Sequence, residues 1–256
     1  MIKSNQNVID HWNKIADSDW YNSYRTKKAI FDIIKNPASA FHPTVFALIL
    51  VPSSGDNHAV FAFHLLGAKV MSTDISERQI AHAKAIAEKN AWNIEFAVDN
   101  TMSLESVNND AFDMVYTSNG VFVWIDDLAA MFSGIYRKLK SKGLYVFYDI
   151  HSFTRPFTDG DPADRMKLII EKPYDQIAVG DNQFHWRIQD LLNTLIAAGF
   201  TMDHIEEMYP EFGTYWFESS GGRSGLSKEE LKNLYDWKTN PLAAIPAWLS
   251  VFARKK

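Results

Sequence analysis

The chain contains no cysteine. Disulfides, thiolate zinc sites, iron–sulfur clusters and cysteine nucleophiles are therefore excluded. Long apolar stretches are also missing: the longest unbroken run, Val45 to Val51, is far too short to cross a bilayer. The opening MIKSNQNVIDHW lacks the apolar core of a signal peptide, so a soluble cytoplasmic protein is expected. Positive charge is not in excess either. With 26 Lys and Arg against 31 Asp and Glu, the net charge is −5, which disfavours a surface built to track phosphates. Neither nucleic acid nor a membrane is the expected partner. The eight histidines are scattered, and no metal site is expected.

What is present fits a globular fold. A hydrophobic share of 46% and a charged share of 22% are ordinary values, and 256 residues can bury a large core. Aromatics are plentiful, with 17 Phe, 10 Tyr and 8 Trp. Most of them belong in a core, and the excess also suits a pocket for an organic substrate.

Residues from about Ser4 to Lys35 read as amphipathic helix, with Val8, Ile9, Trp12, Ile15 and Trp20 at helical spacing. Strands and helices then alternate. Val45–Val51 is a continuous apolar run, as in a strand buried on both faces. A loop, Pro52-Ser53-Ser54-Gly55-Asp56-Asn57, leads into an apolar helix ending near Gly67. Lys69–Asp74 is a second strand. Ser76-Glu77-Arg78-Gln79 has the form of a capping box opening a helix to about Asn90. Asn93–Asp99 and Phe112–Ser118 are the third and fourth strands. Asp126-Asp127 open a helix with an acidic first turn, and Leu144–Ile150 is the fifth strand. Such alternation predicts an α/β fold with a doubly wound parallel sheet, whose ligands lie beyond the carboxyl ends of its strands.

After Ile150 the pattern loosens. His151 to His185 is a long connection, Arg187–Ala198 a helix stopped by Gly199, and Met202–Glu207 a strand. Ser227-Lys228-Glu229-Glu230 has the form of a second capping box, and Trp248–Ala253 is a last strand. One domain is expected, with a helical extension over residues 1–43, a cofactor-binding core over 44–150, and substrate-side loops and final strands over 151–256.

Three features fall at strand ends. Gly55, in the loop after the first strand, permits close backbone approach. Asp74 ends the second strand 19 positions beyond Gly55, where an acid can accept both hydroxyls of a ribose. Ile75 beside it can lie against an adenine face. Asp99-Asn100 end the third strand, where an acceptor can take the adenine amino group or simply form an Asx-turn. The loop has a single glycine, so the G-x-G-x-x-G run that seats a pyrophosphate is missing. That disfavours a nicotinamide cofactor.

The stretches LILVPSSGDNHAVFAFHLLGAKVMSTDIS, NIEFAVDN, FDMVYTSNGVFVWIDDL, LYVFYDIHSFTRPF and HWRIQDLLNTLIAAGF together resemble the class I S-adenosylmethionine-dependent methyltransferases, small-molecule branch. The resemblance implies a Rossmann-like, seven-stranded, mostly parallel sheet with an antiparallel last strand and helices on both faces. It also implies S-adenosylmethionine as cofactor, with contacts from Ser53, Ser54, Gly55, Asp74, Ile75, Asp99, Asn100 and Asn119. The family loop usually reads G-x-G-x-G; here Ser53 and Asn57 stand at the outer glycine positions, and Val51 stands where an acid is usual. The implied reaction is methyl transfer to a small organic molecule. On the substrate side the candidates are His151, as general base, with Trp124, Arg155, His185 and Tyr215 as pocket residues. The alternatives are a noncatalytic adenosyl-ligand-binding protein on the same fold and a nicotinamide-dependent oxidoreductase. The sequence sets no oligomeric state.

Overall fold

In the computed structural model, residues 2–16, 48–55, 58–118, 120–157, 169–179, 183–208, 227–239 and 241–256 are described. The elements run α1 (Ile2–Ala16), β1 (Leu48–Pro52), α2 (His58–Leu65), β2 (Lys69–Asp74), α3 (Glu77–Lys89), β3 (Glu95–Val98), β4 (Phe112–Ser118), α4 (Leu128–Lys138) and β5 (Leu139–Ile150). They continue with β6 (Ala178–Val179), β7 (Gln183–Phe184), α5 (Ile188–Ala197), β8 (Phe200–Met208), α6 (Lys228–Tyr235) and β9 (Trp248–Lys255). Seven strands form one sheet in the order β3-β2-β1-β4-β5-β9-β8, and β6 pairs with β7 as a separate ribbon. The pairs among β1 to β5 are parallel; β9 runs antiparallel to both β5 and β8. The strand order reverses beside β1, which puts the switch point between the ends of β1 and β4.

Continuous apolar strands follow from burial on both faces. Leu50, Val115, Tyr145 and Phe147 pack with Met131, Phe132 and Ile135 of α4 and Leu191 and Leu195 of α5. Their neighbours along the strands, Ile49, Val51, Met114, Tyr116, Leu144 and Val146, pack with Val60, Phe61 and Phe63 of α2 and Ala83 of α3. Alternation along β1, β4 and β5 thus feeds two apolar layers, while β3 and β8 at the sheet edges are more exposed.

The caps depart in part from expectation. Ser76 caps α3, its Oγ accepting from Gln79 N at 3.2 Å, but the reciprocal half of the box is absent. Ser76 N donates instead to Asp74 Oδ1 at 2.8 Å, because Asp74 sits closer than the Gln79 carboxamide can reach. The Ser227–Glu230 box of α6 forms completely. At α4 no acid lies in the first turn; Asp127 stands one step earlier as the cap, accepting from Ala130 N. β5 also begins earlier than its apolar run. Leu139 pairs with Phe112 directly after α4, and the register then jumps so that Leu144 meets Met114. The intervening residues bulge out, with Lys142 at φ +64°. Gly143 is needed there, since a Cβ would lie 2.8 Å from the Lys140 carbonyl oxygen. Of the N-terminal extension, α1 is helical as expected; the helical expectation beyond Ala16 lies outside the described residues.

Candidate active site

The turn after β1 is shaped by two left-handed residues, Ser53 at φ +49° and Gly55 at φ +48°. Ser53 holds this conformation while its hydroxyl shares a 2.5 Å hydrogen bond with Thr101 Oγ1. Ser54 is buried, its hydroxyl 2.6 Å from that of Ser72, and its amide donates to the Thr73 carbonyl at 3.1 Å. A side chain at Gly55 would be strained by the backbone and would meet Gln79 at 3.2–3.3 Å. Asn57, the expected left-handed position, lies outside the described residues.

Asp74 joins this turn to the next. Its Oδ2 accepts from Gly55 N at 2.8 Å and its Oδ1 from Ser76 N at 2.8 Å, and the residue is only 8% exposed. Its carbonyl accepts from Asp99 N at 2.9 Å, tying in the end of β3. The ends of β1, β2 and β3 therefore form one shelf, and Ser53, Ser54, Gly55, Asp74, Ile75, Asp99 and Asn100 stand on or beside it. Two buried polar atoms here have no partner, Thr73 Oγ1 and Gln79 Oε1.

Asp99 and Asn100 are occupied differently. Asp99 accepts from Asn100 N, Glu105 N, Ser106 N and Ser106 Oγ, at 2.6–3.2 Å. Four donors saturate a carboxylate, so Asp99 fixes the loop that follows β3. Asn100 Oδ1 accepts from Met102 N at 3.0 Å, the Asx-turn alternative.

Across the switch point the arrangement rests on Asp149, which the sequence reading missed. It is 3% exposed near the end of β5. Its Oδ1 accepts from Gly120 N at 2.8 Å and its Oδ2 from Val121 N and Phe122 N at 2.9 and 3.3 Å. Ile150 N adds a fourth donor at 2.6 Å. Burial pushes its carboxyl above the usual carboxylate range, while the Arg155 guanidinium and the backbone amides work against that rise. The signal was present: a lone acid inside LYVFYDI is costly to bury unless something needs it. Asn119, at the head of the anchored loop, lies outside the described residues, as does Tyr215.

Both ring nitrogens of His151, the expected base, are engaged. The residue is 0% exposed; its Nδ1 accepts from Phe153 N at 3.1 Å, and its Nε2 lies 2.9 Å from Glu207 Oε1. With Nδ1 accepting, Nε2 carries the proton and donates to Glu207, so neither nitrogen is available to a substrate. His151 pins the turn after β5 to β8.

The remaining candidates wall the same side. Trp124 lies in a short 3-10 turn over Phe122–Trp124, and its ring meets His11 and Trp12 of α1 at 4.7 and 5.7 Å. α1 reaches the shelf too: Ser76 Oγ donates to Asn13 Oδ1 at 2.5 Å. Trp186 Nε1 donates to the Ile125 carbonyl at 2.8 Å, which sets His185 beside the loop after β4. His185 Nδ1 is buried without a partner, and its pKa is lowered to about 4, by burial first and then by Arg155 and Lys172. Among the described residues no cluster of His, Asp and Glu could hold a metal, and no helix is long and apolar enough to cross a membrane.

A buried acid ending β2 beside a glycine turn stands where doubly wound α/β sheets place their ligands. Residues 52–143 match the family model described as a methyltransferase domain. That match takes in β2 to α4 and the turn after β1. Among solved structures it is similar to an S-adenosylmethionine-dependent methyltransferase from Mesorhizobium loti, at 24% identity and TM-score 0.56, over 82% of this chain and 90% of that one. A protein from Listeria monocytogenes described as a putative methyltransferase of the same kind matches at 18% identity and TM-score 0.56, over 82% and 91%. A geranyl diphosphate C-methyltransferase from Streptomyces coelicolor A3(2), solved with S-adenosyl-L-homocysteine, matches at 14% identity and TM-score 0.59, over 91% and 79%. These likenesses establish the fold. No curated protein sequence matches the chain.

Proposed function

We propose that the protein transfers a methyl group from S-adenosylmethionine to a small organic molecule bound over the ends of β4 and β5. The observation that carries this reading is Asp74, an acid buried at the end of β2 and oriented by the amides of Gly55 and Ser76. An acid fixed from two sides cannot swing away, and a carboxylate at the end of β2 is the group that a ribose's hydroxyls would meet. Ile75 gives an apolar face next to it. The unpartnered Gln79 Oε1, beside Gly55, suits a ligand bearing a donor such as an ammonium group. The residues present therefore fit an adenosyl ligand. Asp99 contributes by shaping the loop under that ligand rather than by binding it, since its four acceptor positions are taken.

When bound, the cofactor supplies an electrophilic methyl group on a sulfonium. The chain's own residues align the acceptor and exclude water. Asp149 holds the Gly120–Phe122 amides in place, and Trp124, covered by His11 and Trp12, closes one wall. With His151 committed to Glu207, alignment rather than proton abstraction by that residue drives the reaction.

Calorimetry with S-adenosylhomocysteine tests the binding half, and labelled methyl transfer into a metabolite extract tests the chemistry. The expected results are saturable binding at one site and label in a small organic product. Absence of binding at millimolar ligand overturns the reading; label only in protein or nucleic acid overturns the substrate class.

A further inference from the structure

We propose that Arg155, Lys172 and His185 form an anion-binding subsite, and that the methyl acceptor carries a carboxylate or phosphate group held there. This rests on the reading above and adds the chemical class of the acceptor.

The three groups are brought together by backbone pairing. Phe157 and Ile170 form an antiparallel bridge, and Glu171 N donates to the Pro156 carbonyl at 2.8 Å. Arg155 and Lys172 each stand two residues from this bridge, Arg155 in the turn that leads into it. His185 joins them through its own amide, which donates to the Ile177 carbonyl at 2.7 Å, and through Trp186, clamped on the Ile125 carbonyl. All three are partly buried.

Arg155 acts at a distance on the buried Asp149 carboxylate and favours its charged form. Among the described residues neither Arg155 nor Lys172 makes an ion pair. The acid facing Arg155, Asp149, is already satisfied by four backbone amides. Arg155 and Lys172 both act on His185 and disfavour its protonated form, so the three share one field. His185 Nδ1 is buried with no hydrogen-bond partner. A partly buried cation without a close partner costs stability, as does an orphaned polar atom. An anion relieves both at once, accepting from guanidinium and ammonium and, in the matching tautomer, from the imidazole. The cluster lies against the Phe122–Trp124 turn, where the acceptor is proposed to sit.

The test uses the full chain and two probes, inorganic phosphate and acetate, followed by NMR titration against chloride at matched ionic strength. Binding of either probe in the millimolar range, with shifts at His185, is expected. Arg155→Gln and Lys172→Gln should each weaken it by about tenfold, and Arg155→Lys by less. Preference for acetate over phosphate identifies a carboxylate acceptor, and the reverse a phosphate. Affinity for S-adenosylhomocysteine should be unchanged in all three variants. No probe binding, or equal binding by wild type and both Gln variants, overturns the proposal even where S-adenosylhomocysteine binds normally. Loss of S-adenosylhomocysteine binding by the wild type would instead sink the reading beneath it. Should Arg155→Gln fail to fold, Lys172→Gln decides alone.

Discussion

At the ends of β1, β2 and β3 the carboxylates are tied to backbone amides, whereas after β4 and β5 part of the charge is held apart. On the first side Asp74 spans two turns and Asp99 closes a loop, each carboxylate receiving backbone amides. On the second, Asp149 is satisfied in the same manner, yet among the described residues Arg155 and Lys172 make no ion pair and His185 Nδ1 no hydrogen bond. The proposed roles account for the difference. A nucleoside of fixed shape would be met by a fixed shelf, and an acceptor's charge would be matched by groups kept ready for it, at some cost to the empty protein.

The largest expected effect tests how far the second side depends on Asp149. Asp149→Ala leaves four amide N–H groups without an acceptor in a dry site. Unfolding free energy should fall by about 3–5 kcal/mol, and Tm on the order of 10 °C, by calorimetry. A change of less than about 1 kcal/mol would mean that the loop after β4 is held elsewhere.

Asp74→Ala should act on both counts but mainly on ligand. Affinity for S-adenosylhomocysteine should drop by about two orders of magnitude. The apo protein should also lose stability, since Gly55 N and Ser76 N lose their acceptor. Asp74→Asn keeps one acceptor oxygen but turns an N–H2 toward an amide, so it should fall between. Affinity within about threefold of wild type (roughly 0.7 kcal/mol) refutes the ribose role.

A smaller effect separates the two sides by pH. His185 titrates at about 4 in the folded protein against an ordinary 6.5, so the unfolded chain binds the extra proton first. Stability should therefore decline as pH falls through the window from about 6.5 to 4. His185→Gln should flatten that slope. An NMR titration placing His185 near its ordinary value would show that it is neither desolvated nor crowded by Arg155 and Lys172.

Much of the frame was legible because burial on both faces leaves a plain mark. β2 and β4 were readable to the residue, as Lys69–Asp74 and Phe112–Ser118. The shelf was legible too, because Gly55 and Asp74 stand at strand ends where spacing alone places them together. What escaped was everything set by partners distant in sequence. Asp149 meets amides 27–29 residues away, and His151 is fixed by Glu207, 56 residues on. No local pattern announces such pairs. The early start of β5 was hidden for the same reason: Leu139 is strand only by virtue of Phe112.

The last prediction concerns α1, which touches both sides and whose docking on the shelf was likewise invisible in its periodicity. Asn13 Oδ1 accepts from Ser76 Oγ, and more weakly from Arg78 N at 3.4 Å, while His11 and Trp12 lie on Trp124. Asn13→Ala removes the polar contact and leaves the aromatic one. Ser76 keeps its role as cap of α3, because its Oγ still accepts from Gln79 N. The net cost should therefore be about 1 kcal/mol, the worth of one partly buried hydrogen bond. It should appear locally, as about fivefold faster hydrogen exchange of α1 amides with little change in Tm. Trp12→Ala removes the other contact and should loosen α1 by more, through lost aromatic packing. If Asn13→Ala leaves α1 exchange unchanged while Trp12→Ala frees it, the helix is held by Trp124 alone and belongs to the substrate side. If the order is reversed, it belongs to the shelf.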